Sequence, residues 1–268
     1  MSFADDLNAA WNAHDAERVA SFYAEDGARE ELIVTQARAV GRKAVAEQVQ
    51  LYLDAMPDLA LAVRKITRAG STRIAEAAFA LARRRRNKVT AVHKANVLRV
   101  SDGLFLECAR AVAARFPAVD YEERIMDAMA ALLVRDAGAF DVVVTTNMFG
   151  DILSDLASEI SGSLGLAASL NAGAAHAMAQ AQHGSAPDIA GQDRANPASL
   201  IGSAAMLLAW LGERRDDERL TQAAAAIEDA LDRAIAAPQW RTPDLGGPLG
   251  TEAFGARVAA LVGEGARA

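Results

Sequence analysis

Cysteine is almost absent from this sequence, since Cys108 is the single one among 268 residues. No disulfide can therefore form within the chain, and the scarcity of cysteine fits a reducing compartment. The sequence has no apolar run of about 18 or more uncharged residues, which argues against a membrane-spanning helix. It also opens without a signal-peptide pattern. We therefore expect a soluble, cytoplasmic protein that does not bind membranes.

Positively charged residues are outnumbered by negatively charged ones, since the chain has 28 Lys and Arg residues and 35 Asp and Glu residues. The net charge of -7 and the isoelectric point near 5.2 argue against nucleic-acid binding. The basic run Arg83–Arg86 follows apolar residues at helical spacing, so we interpret it as the solvated end of a helix. A GxGxxG pattern is absent, which excludes the Rossmann fingerprint.

The stretch Val142–Gly165 organises the chain. Its β-branched run, Val142–Thr146, predicts a buried strand, and Asn147–Gly150 predicts a turn before a helix with Asp151 in its first turn. Asp151 and Asp155 are four residues apart, so they share one helical face. This face lies at the sheet edge where ligands of α/β proteins bind. Two carboxylates at this place indicate either a divalent-cation site or a solvated helix start.

Helices and strands alternate on both sides of this stretch, which predicts an α/β fold with a parallel sheet. A loop of small residues, 182–191, either lets backbone approach a nucleotide closely or is an ordinary turn. The predicted elements are a helix Ser71–Arg86, a strand Lys88–His93, a helix Asp102–Phe116, a strand Val119–Glu122, and helices Glu123–Arg135, Ala198–Leu211, Leu220–Ile235 and Thr251–Val262.

Residues 1–63 have a different character, with short helices, candidate strands Glu31–Thr35 and Leu59–Val63, and a helix Gly41–Leu53. The phrase AAWNAHDAERVASFYAEDG, followed by VGRKAVAEQVQLYLDAMPDLAL, resembles the opening of SnoaL-like proteins, the nuclear-transport-factor-like α+β cone fold. The resemblance covers about the first half of such a domain. His14 and Asp15 are candidates for its pocket or for a turn between two helices.

Three phrases further along resemble one enzyme family, the β-decarboxylating dehydrogenases that act on isocitrate, isopropylmalate, homoisocitrate and tartrate. They are HKANVLRVSDGLF (93–105), IMDAMAALLV (125–134) and NMFGDILSDLASEISGSLG (147–165), and they occur in the family's order and spacing. The resemblance implies an α/β, isopropylmalate-dehydrogenase-like sheet with flanking helices, lacking the family's N-terminal part and preceded by the partial SnoaL-like segment. The expected domains are residues 1–63, a dimerisation and metal-site domain at 64–165, and a cofactor-binding part at 166–268.

The resemblance also implies roles for individual residues. Oxidising a 2-hydroxy acid takes a base, a hydride acceptor and a cation that holds the substrate oxygens. Matching motifs place Lys94 on the family's catalytic base, and its neutral form would be favoured by partial burial and a nearby cation. They place Asp127, Asp151 and Asp155 on the family's metal ligands, and hard oxygen ligands suit Mg²⁺ or Mn²⁺. In the family Lys94 and Asp127 reach into a neighbour's site, so the resemblance implies a homodimer with shared active sites.

The small-residue loop matches the cofactor loop of the same family. Asp188 stands where an acid would accept the ribose hydroxyls and repel a 2′-phosphate, which favours NAD over NADP. Asn196 is implied to meet the adenine edge. The residues expected to bind NAD are His183, Gly184, Ser185, Ala186, Pro187, Asp188 and Asn196.

The chain departs from the family in two ways. The family's first hundred or so residues supply an arginine cluster that grips substrate carboxylates, and the arginines of residues 1–64 match none of its positions. Tyr23, Tyr52 and Tyr121 match none of the usual places of the family's general acid.

Three functions therefore stay open. The first is NAD- and metal-dependent oxidation, with decarboxylation, of a 2-hydroxy di- or tricarboxylic acid such as 3-isopropylmalate, isocitrate or tartrate. The second is a catalytically impaired NAD-binding or regulatory subunit. The third is a small-molecule binding or cyclase-like protein that uses the SnoaL-like segment.

Overall fold

The computed structural model describes residues 66–265 and, before them, residues 6, 9–10, 12–21, 28–30, 38–40, 43, 46–47 and 49–50. The chain divides into two compact units. The first comprises Met1–Ile125 with Asp141–Val144, and the second comprises Met126–Phe140 with Thr145–Ala268. Each unit is described by itself.

The first unit contains a three-stranded sheet in the order β4-β3-β5, built from β3 (Lys88–His93), β4 (Asp120–Ile125) and β5 (Val142–Thr145). Strands β3 and β4 run parallel, in register from Lys88 opposite Asp120 to His93 opposite Ile125. The four central residues of β3 are buried, as expected for a parallel strand with both faces covered. The predicted strand Lys88–His93 and the predicted parallel α/β arrangement are confirmed.

Two helices pack in this unit, α2 (Arg68–Ala82) and α3 (Arg99–Ala113). Thr67 caps α2, since its side chain accepts a hydrogen bond from the N–H of Gly70. The helices and the sheet share one hydrophobic core. Its largest fully buried side chains include Phe79 and Phe105, and the ring of Phe79 lies 5.4 Å from that of Phe116.

The basic run at the end of α2 is more than a solvated helix end. The helix stops at Ala82, and the Nε of Arg85 and the N–H of Arg86 each donate a hydrogen bond to the carboxylate of Asp141, at 2.9 and 2.8 Å. Burial raises the pKa of Asp141, but these two donors outweigh it and leave that pKa below its ordinary value. Two of the four arginines therefore fix the start of β5.

The described residues before 66 form a short helix, α1 (Ala16–Ser21), and an antiparallel pair, β1 (Ala28–Glu30) and β2 (Arg38–Val40). Asp15 accepts a hydrogen bond from the N–H of Arg18 at 2.9 Å, so it caps α1. The cap supports the turn interpretation of His14 and Asp15, but both residues also border a cavity of about 550 Å³, so the pocket interpretation stays open. The strands predicted at 31–35 and 59–63 lie outside the described residues, and most of the helix predicted at 41–53 does as well.

The second unit begins with α4 (Met126–Asp136) and α5 (Asn147–Ser161), which contact each other. Both starts differ from the prediction. Strand β4 continues to Ile125, because residues 123–125 stay paired with β3, so the following helix begins later than Glu123. The predicted turn Asn147–Gly150 is the first turn of α5, which places Asp151 in the second turn of the helix rather than the first.

A hairpin of β6 (Ala168–Ala172) and β7 (Ala177–Ala181) follows, packed on α6 (Ala198–Arg215). Sequence reasoning missed this hairpin, because alanine has low β propensity and the segment lacks alternation. Two buried serines of α6 hold it in place. The hydroxyl of Ser199 donates to the carbonyl of Ala167, and that of Ser203 donates to the carbonyl of Gln180.

The unit ends with α7 (Glu218–Ala236) and α8 (Thr251–Gly265), which form a core with α6 around Leu231, Phe254 and Leu261. Each of the three predicted C-terminal helices is present. None of the helices in the described part of the chain is long and apolar enough to span a membrane.

Candidate functional site

Lys94 lies directly after β3, and hydrogen bonds on both sides fix its backbone. Its N–H donates to Asp102 Oδ2 at 2.7 Å. Its carbonyl accepts the N–H groups of Val97 at 2.9 Å and Leu98 at 2.7 Å. The side chain of Lys94 is half-buried. The predicted base therefore projects from a rigid turn between a strand and a helix.

Asp102 is a site residue that sequence reasoning missed. It belongs to the first turn of α3 and is fully buried. A buried carboxylate is costly unless hydrogen bonds satisfy it, and the backbone N–H of Lys94 is one of its donors. The signal in the sequence was the acidic residue of Ser101-Asp102-Gly103 at a helix start.

The predicted metal ligands Asp151 and Asp155 project from α5, one turn apart, and both are exposed. Carboxylate oxygens are the donors that Mg²⁺ and Mn²⁺ prefer, so this pair fits two positions of such a site. Asp127 is exposed in the first turn of α4. Among the described residues of one chain, no three or more His, Cys, Asp or Glu side chains are grouped to hold a metal ion. Lys94 lies in the other compact unit.

The predicted cofactor loop follows β7 and borders a cavity of about 380 Å³. Ala186 has a left-handed backbone, with φ of 44°, and leads into the turn Pro187–Ile189. Ser185 lines a smaller neighbouring cavity of about 170 Å³, while Asp188 is exposed on the turn. Four of the predicted cofactor residues border the larger cavity, namely His183, Gly184, Ala186 and Asn196.

Asn196 is buried at the inner wall of this cavity and joins three segments. Its Nδ2 donates to Asp244 Oδ2 at 3.0 Å, and its Oδ1 accepts the N–H of Ala198 at 2.9 Å. The hydroxyl of Ser163 donates to the same oxygen of Asp244 at 2.5 Å. A Cβ on Gly165 would lie 2.7 Å from the Cβ of Asn196, so this position requires glycine.

Asp244 is the second functional residue that sequence reasoning missed, and it stands in the segment Arg241–Gly247 before α8. Burial raises the pKa of Asp244, but hydrogen bonds, among them those from Ser163 and Asn196, favour the ionised form more strongly. The pKa of Asp244 is therefore lowered. An ionised Asp244 holds the wall of the cavity.

One side chain connects the cofactor loop with the carboxylate pair. Gln182, which directly precedes the loop, donates from Nε2 to Asp155 Oδ1 at 2.8 Å and to the hydroxyl of Ser154 at 2.7 Å. The candidate cation site and the candidate cofactor site are therefore neighbours within one compact unit.

Nucleotide-dependent α/β enzymes typically combine parallel strands and helices with carboxylates on a helix that follows a strand, and they have a loop that borders a cavity. The family model described as isocitrate/isopropylmalate dehydrogenase matches residues 22–258. The chain therefore belongs to the isocitrate/isopropylmalate dehydrogenase family, a family of dehydrogenases. The resemblance stated from the three motifs is confirmed.

Known proteins similar to the chain agree with this family. The 3-isopropylmalate dehydrogenase of Archaeoglobus fulgidus is 46% identical over 206 residues, which cover 76% of this chain and 61% of that protein. The isocitrate/homoisocitrate dehydrogenase of Thermus thermophilus is 46% identical over 209 residues, which cover 78% of this chain and 59% of that protein. The crystal structure of isocitrate dehydrogenase from Methylococcus capsulatus matches with a TM-score of 0.66 and 42% identity. The match covers 75% of this chain and 58% of that one.

The chain thus spans about three fifths of the length of these relatives. The match to the family model begins at residue 22, within the segment 1–63 that resembles SnoaL-like proteins. The SnoaL-like resemblance stays a prediction.

Proposed function

We propose that the chain carries out NAD-dependent oxidation, with decarboxylation, of a 2-hydroxy di- or tricarboxylic acid such as 3-isopropylmalate, isocitrate or tartrate, with Mg²⁺ or Mn²⁺ as the cation. One observation carries this proposal. The hydrogen bond from Gln182 to Asp155 sets the start of the cofactor loop against the carboxylate pair of α5. Hydride transfer to a nicotinamide requires the cation-held substrate and the cofactor to lie side by side.

In this proposal each part of the candidate site has its own chemical role. Lys94 takes the proton of the substrate hydroxyl, and its turn, held by Asp102, fixes the backbone from which its side chain extends. Asp151 and Asp155 supply oxygen ligands from one helical face. When bound, the cation would polarise the substrate oxygens and stabilise the charge left after loss of carbon dioxide, while NAD accepts the hydride. The loop from His183 to Asn196 orients the adenosine end of NAD.

We further propose that two copies of the chain complete each site, with Lys94 and Asp127 of one copy joining Asp151 and Asp155 of the other. Large apolar side chains on α4 and α5 support this arrangement. Val134 is 68% exposed, Met148 52%, Ile152 53% and Ile160 41%. Apolar surface of this kind on two helices that contact each other suits burial against a second copy.

The alternative function, an impaired NAD-binding or regulatory subunit, is favoured by the coverage of about three fifths of the relatives. The family's arginine cluster has no counterpart in the sequence, and charge-assisted contacts carry most of the binding of a dicarboxylate. In the first proposal the segment 1–63, which we propose to be a partial SnoaL-like segment, or a partner chain supplies substrate contacts. A cytoplasmic location remains part of the proposal.

NADH formation tests the function directly. The chain is assayed with isocitrate, 3-isopropylmalate, tartrate and malate in the presence of Mg²⁺ or Mn²⁺. Lys94→Ala is assayed beside it, with Arg73→Ala as the matched control, which removes an exposed cation of α2 from the first unit. We expect turnover with at least one acid, a loss of at least about a hundredfold in Lys94→Ala, since general-base catalysis contributes that much, and no change in the control. Calorimetric NAD binding without turnover would support the alternative. The absence of both NAD binding and turnover would refute both proposed functions.

A further inference from the structure

Gln182 contacts the candidate cation site, although the match to the family's motifs assigned it no role. Both hydrogens of its amide are used, one on Asp155 Oδ1 at 2.8 Å and the other on the hydroxyl of Ser154 at 2.7 Å. The hydroxyl of Ser154 in turn donates to the carbonyl of Asp151 at 3.1 Å. One half-buried side chain therefore reaches the segment of α5 that carries both carboxylates.

The orientation of this amide follows from chemistry. An ionised carboxylate accepts hydrogen bonds and donates none, so the NH₂ group of Gln182, and not its carbonyl, must face Asp155. One oxygen of Asp155 then holds the amide hydrogen. The hydrogen bond restrains the carboxylate about its last torsion and uses only one of its two oxygens.

Gln182 is itself held in place by its backbone. Its N–H donates to the hydroxyl of Ser199 at 3.4 Å, and that buried hydroxyl donates to the carbonyl of Ala167. Gln182 also follows β7 directly, so the hairpin and α6 define the position from which its side chain extends. A hydrogen-bond donor on such a fixed frame can orient its acceptor.

We infer that Gln182 is a positioning residue that orients the carboxylate of Asp155 toward the divalent cation. The inference rests on the cation site of the proposed function. Hydrogen bonds of this kind to a ligating side chain fix its geometry, and their loss typically weakens metal affinity by about 10- to 100-fold.

Binding of Mn²⁺ to the whole chain, followed by electron paramagnetic resonance, tests this inference without any turnover. Gln182→Leu removes the donor at similar size, and Gln182→Asn keeps an amide that is one methylene shorter. Gln180→Leu is the matched control, because Gln180 is an exposed glutamine of β7 whose backbone carbonyl makes its hydrogen bond to α6. We expect Gln182→Leu to weaken Mn²⁺ binding roughly tenfold or more and to alter the spectrum of the bound ion. Gln182→Asn should lose less Mn²⁺ affinity than Gln182→Leu, and the control should bind Mn²⁺ as wild type does.

The outcomes separate this inference from the function on which it rests. Wild type that binds Mn²⁺, together with a Gln182→Leu variant of equal affinity and unchanged spectrum, refutes the role of Gln182 and leaves the cation site standing. An equal loss in Gln180→Leu also refutes it, because the effect would then belong to the hairpin as a whole. A wild-type chain that binds no Mn²⁺ overturns the cation site and this inference together. Thermal melts without metal show that each variant is folded.

Discussion

At the scale of single residues, two carboxylates hold other residues of the candidate site in place by hydrogen bonds. Asp102 holds the backbone of Lys94, and Asp244 holds Asn196 at the wall of the cavity. Asp102 and Lys94 lie in one phrase, 93–105, whereas the partners of Asp244 are distant in the sequence. The hydrogen bond that Ser163 donates to Asp244 spans 81 positions, and the one that Gln182 donates to Asp155 spans 27. No local periodicity encodes pairs so far apart.

Asp244→Asn should destabilise the second unit in a pH-dependent way. The pKa of Asp244 is lowered in the folded chain, so its contribution to stability is present above the ordinary aspartate value of about 4 and is lost as pH falls through the lower folded value. Asp244 is exposed to solvent, which screens its charge, so we expect its contribution to be about 1 kcal/mol or less and the drop in Tm at pH 7 to be modest.

Thermal melts of wild type and Asp244→Asn between pH 7 and pH 3 measure this effect. The gap in Tm should narrow steadily below about pH 4. Asp232→Asn, an exposed carboxylate on α7, controls for the change in net charge. A gap that stays constant across the range would contradict an ionised Asp244 in the folded chain.

At the scale of elements, the sequence predicts the helices and strands that local residue patterns determine. It misses the elements and boundaries that depend on tertiary contacts. Strand β3 was predicted with its bounds because a short run rich in β-branched residues, Val89–Val92, lies between the polar residues Lys88 and His93. The start of α5 was wrong, because Asn147 and Gly150 are typical turn residues, yet the N–H of Gly150 donates to the carbonyl of Thr146 as in a helix. The hairpin of β6 and β7 was missed because buried serine hydroxyls of α6, not β propensity, hold it.

Gly165→Ala tests the junction between the segment after α5 and the cofactor loop. The new Cβ would lie 2.7 Å from the Cβ of Asn196 and 3.0 Å from Asp244 Oδ2, so the wall of the cavity must shift. Overpacking of this kind costs about 1–3 kcal/mol of folding free energy. We expect a lower midpoint in urea and weaker NAD binding by calorimetry.

Gly263→Ala is the matched control for that substitution. Gly263 lies in α8, and nothing is within 4 Å of the position of its added Cβ. Alanine there should leave stability equal or raise it by up to about 1 kcal/mol, because alanine has the higher helix propensity. If Gly165→Ala were as well tolerated as Gly263→Ala, Asn196 would not be held in the way described.

At the scale of the whole molecule, the proposed sharing of sites between two copies makes a quantitative prediction. Lys94→Ala and Asp151→Asn should each abolish turnover when present in every chain. In a mixed dimer, the intact Lys94 of one copy meets the intact Asp151 of the other at one site, while the second site carries both defects. Random exchange of equal amounts should therefore restore roughly a quarter of wild-type activity, because half of the dimers are mixed and each has one intact site.

The measurement is NADH formation after the two inactive variants are mixed, unfolded together in urea and refolded, with each variant refolded alone as the control. Mixing Asp151→Asn with Asp155→Asn should restore nothing, because both residues lie on α5 and belong to the same half of the site. Recovery in that second mixture would place Asp151 and Asp155 in different halves of a shared site and would contradict the proposed arrangement. No recovery in the first mixture would show that each chain builds its site alone. The exposed apolar side chains of α4 and α5 would then require another explanation.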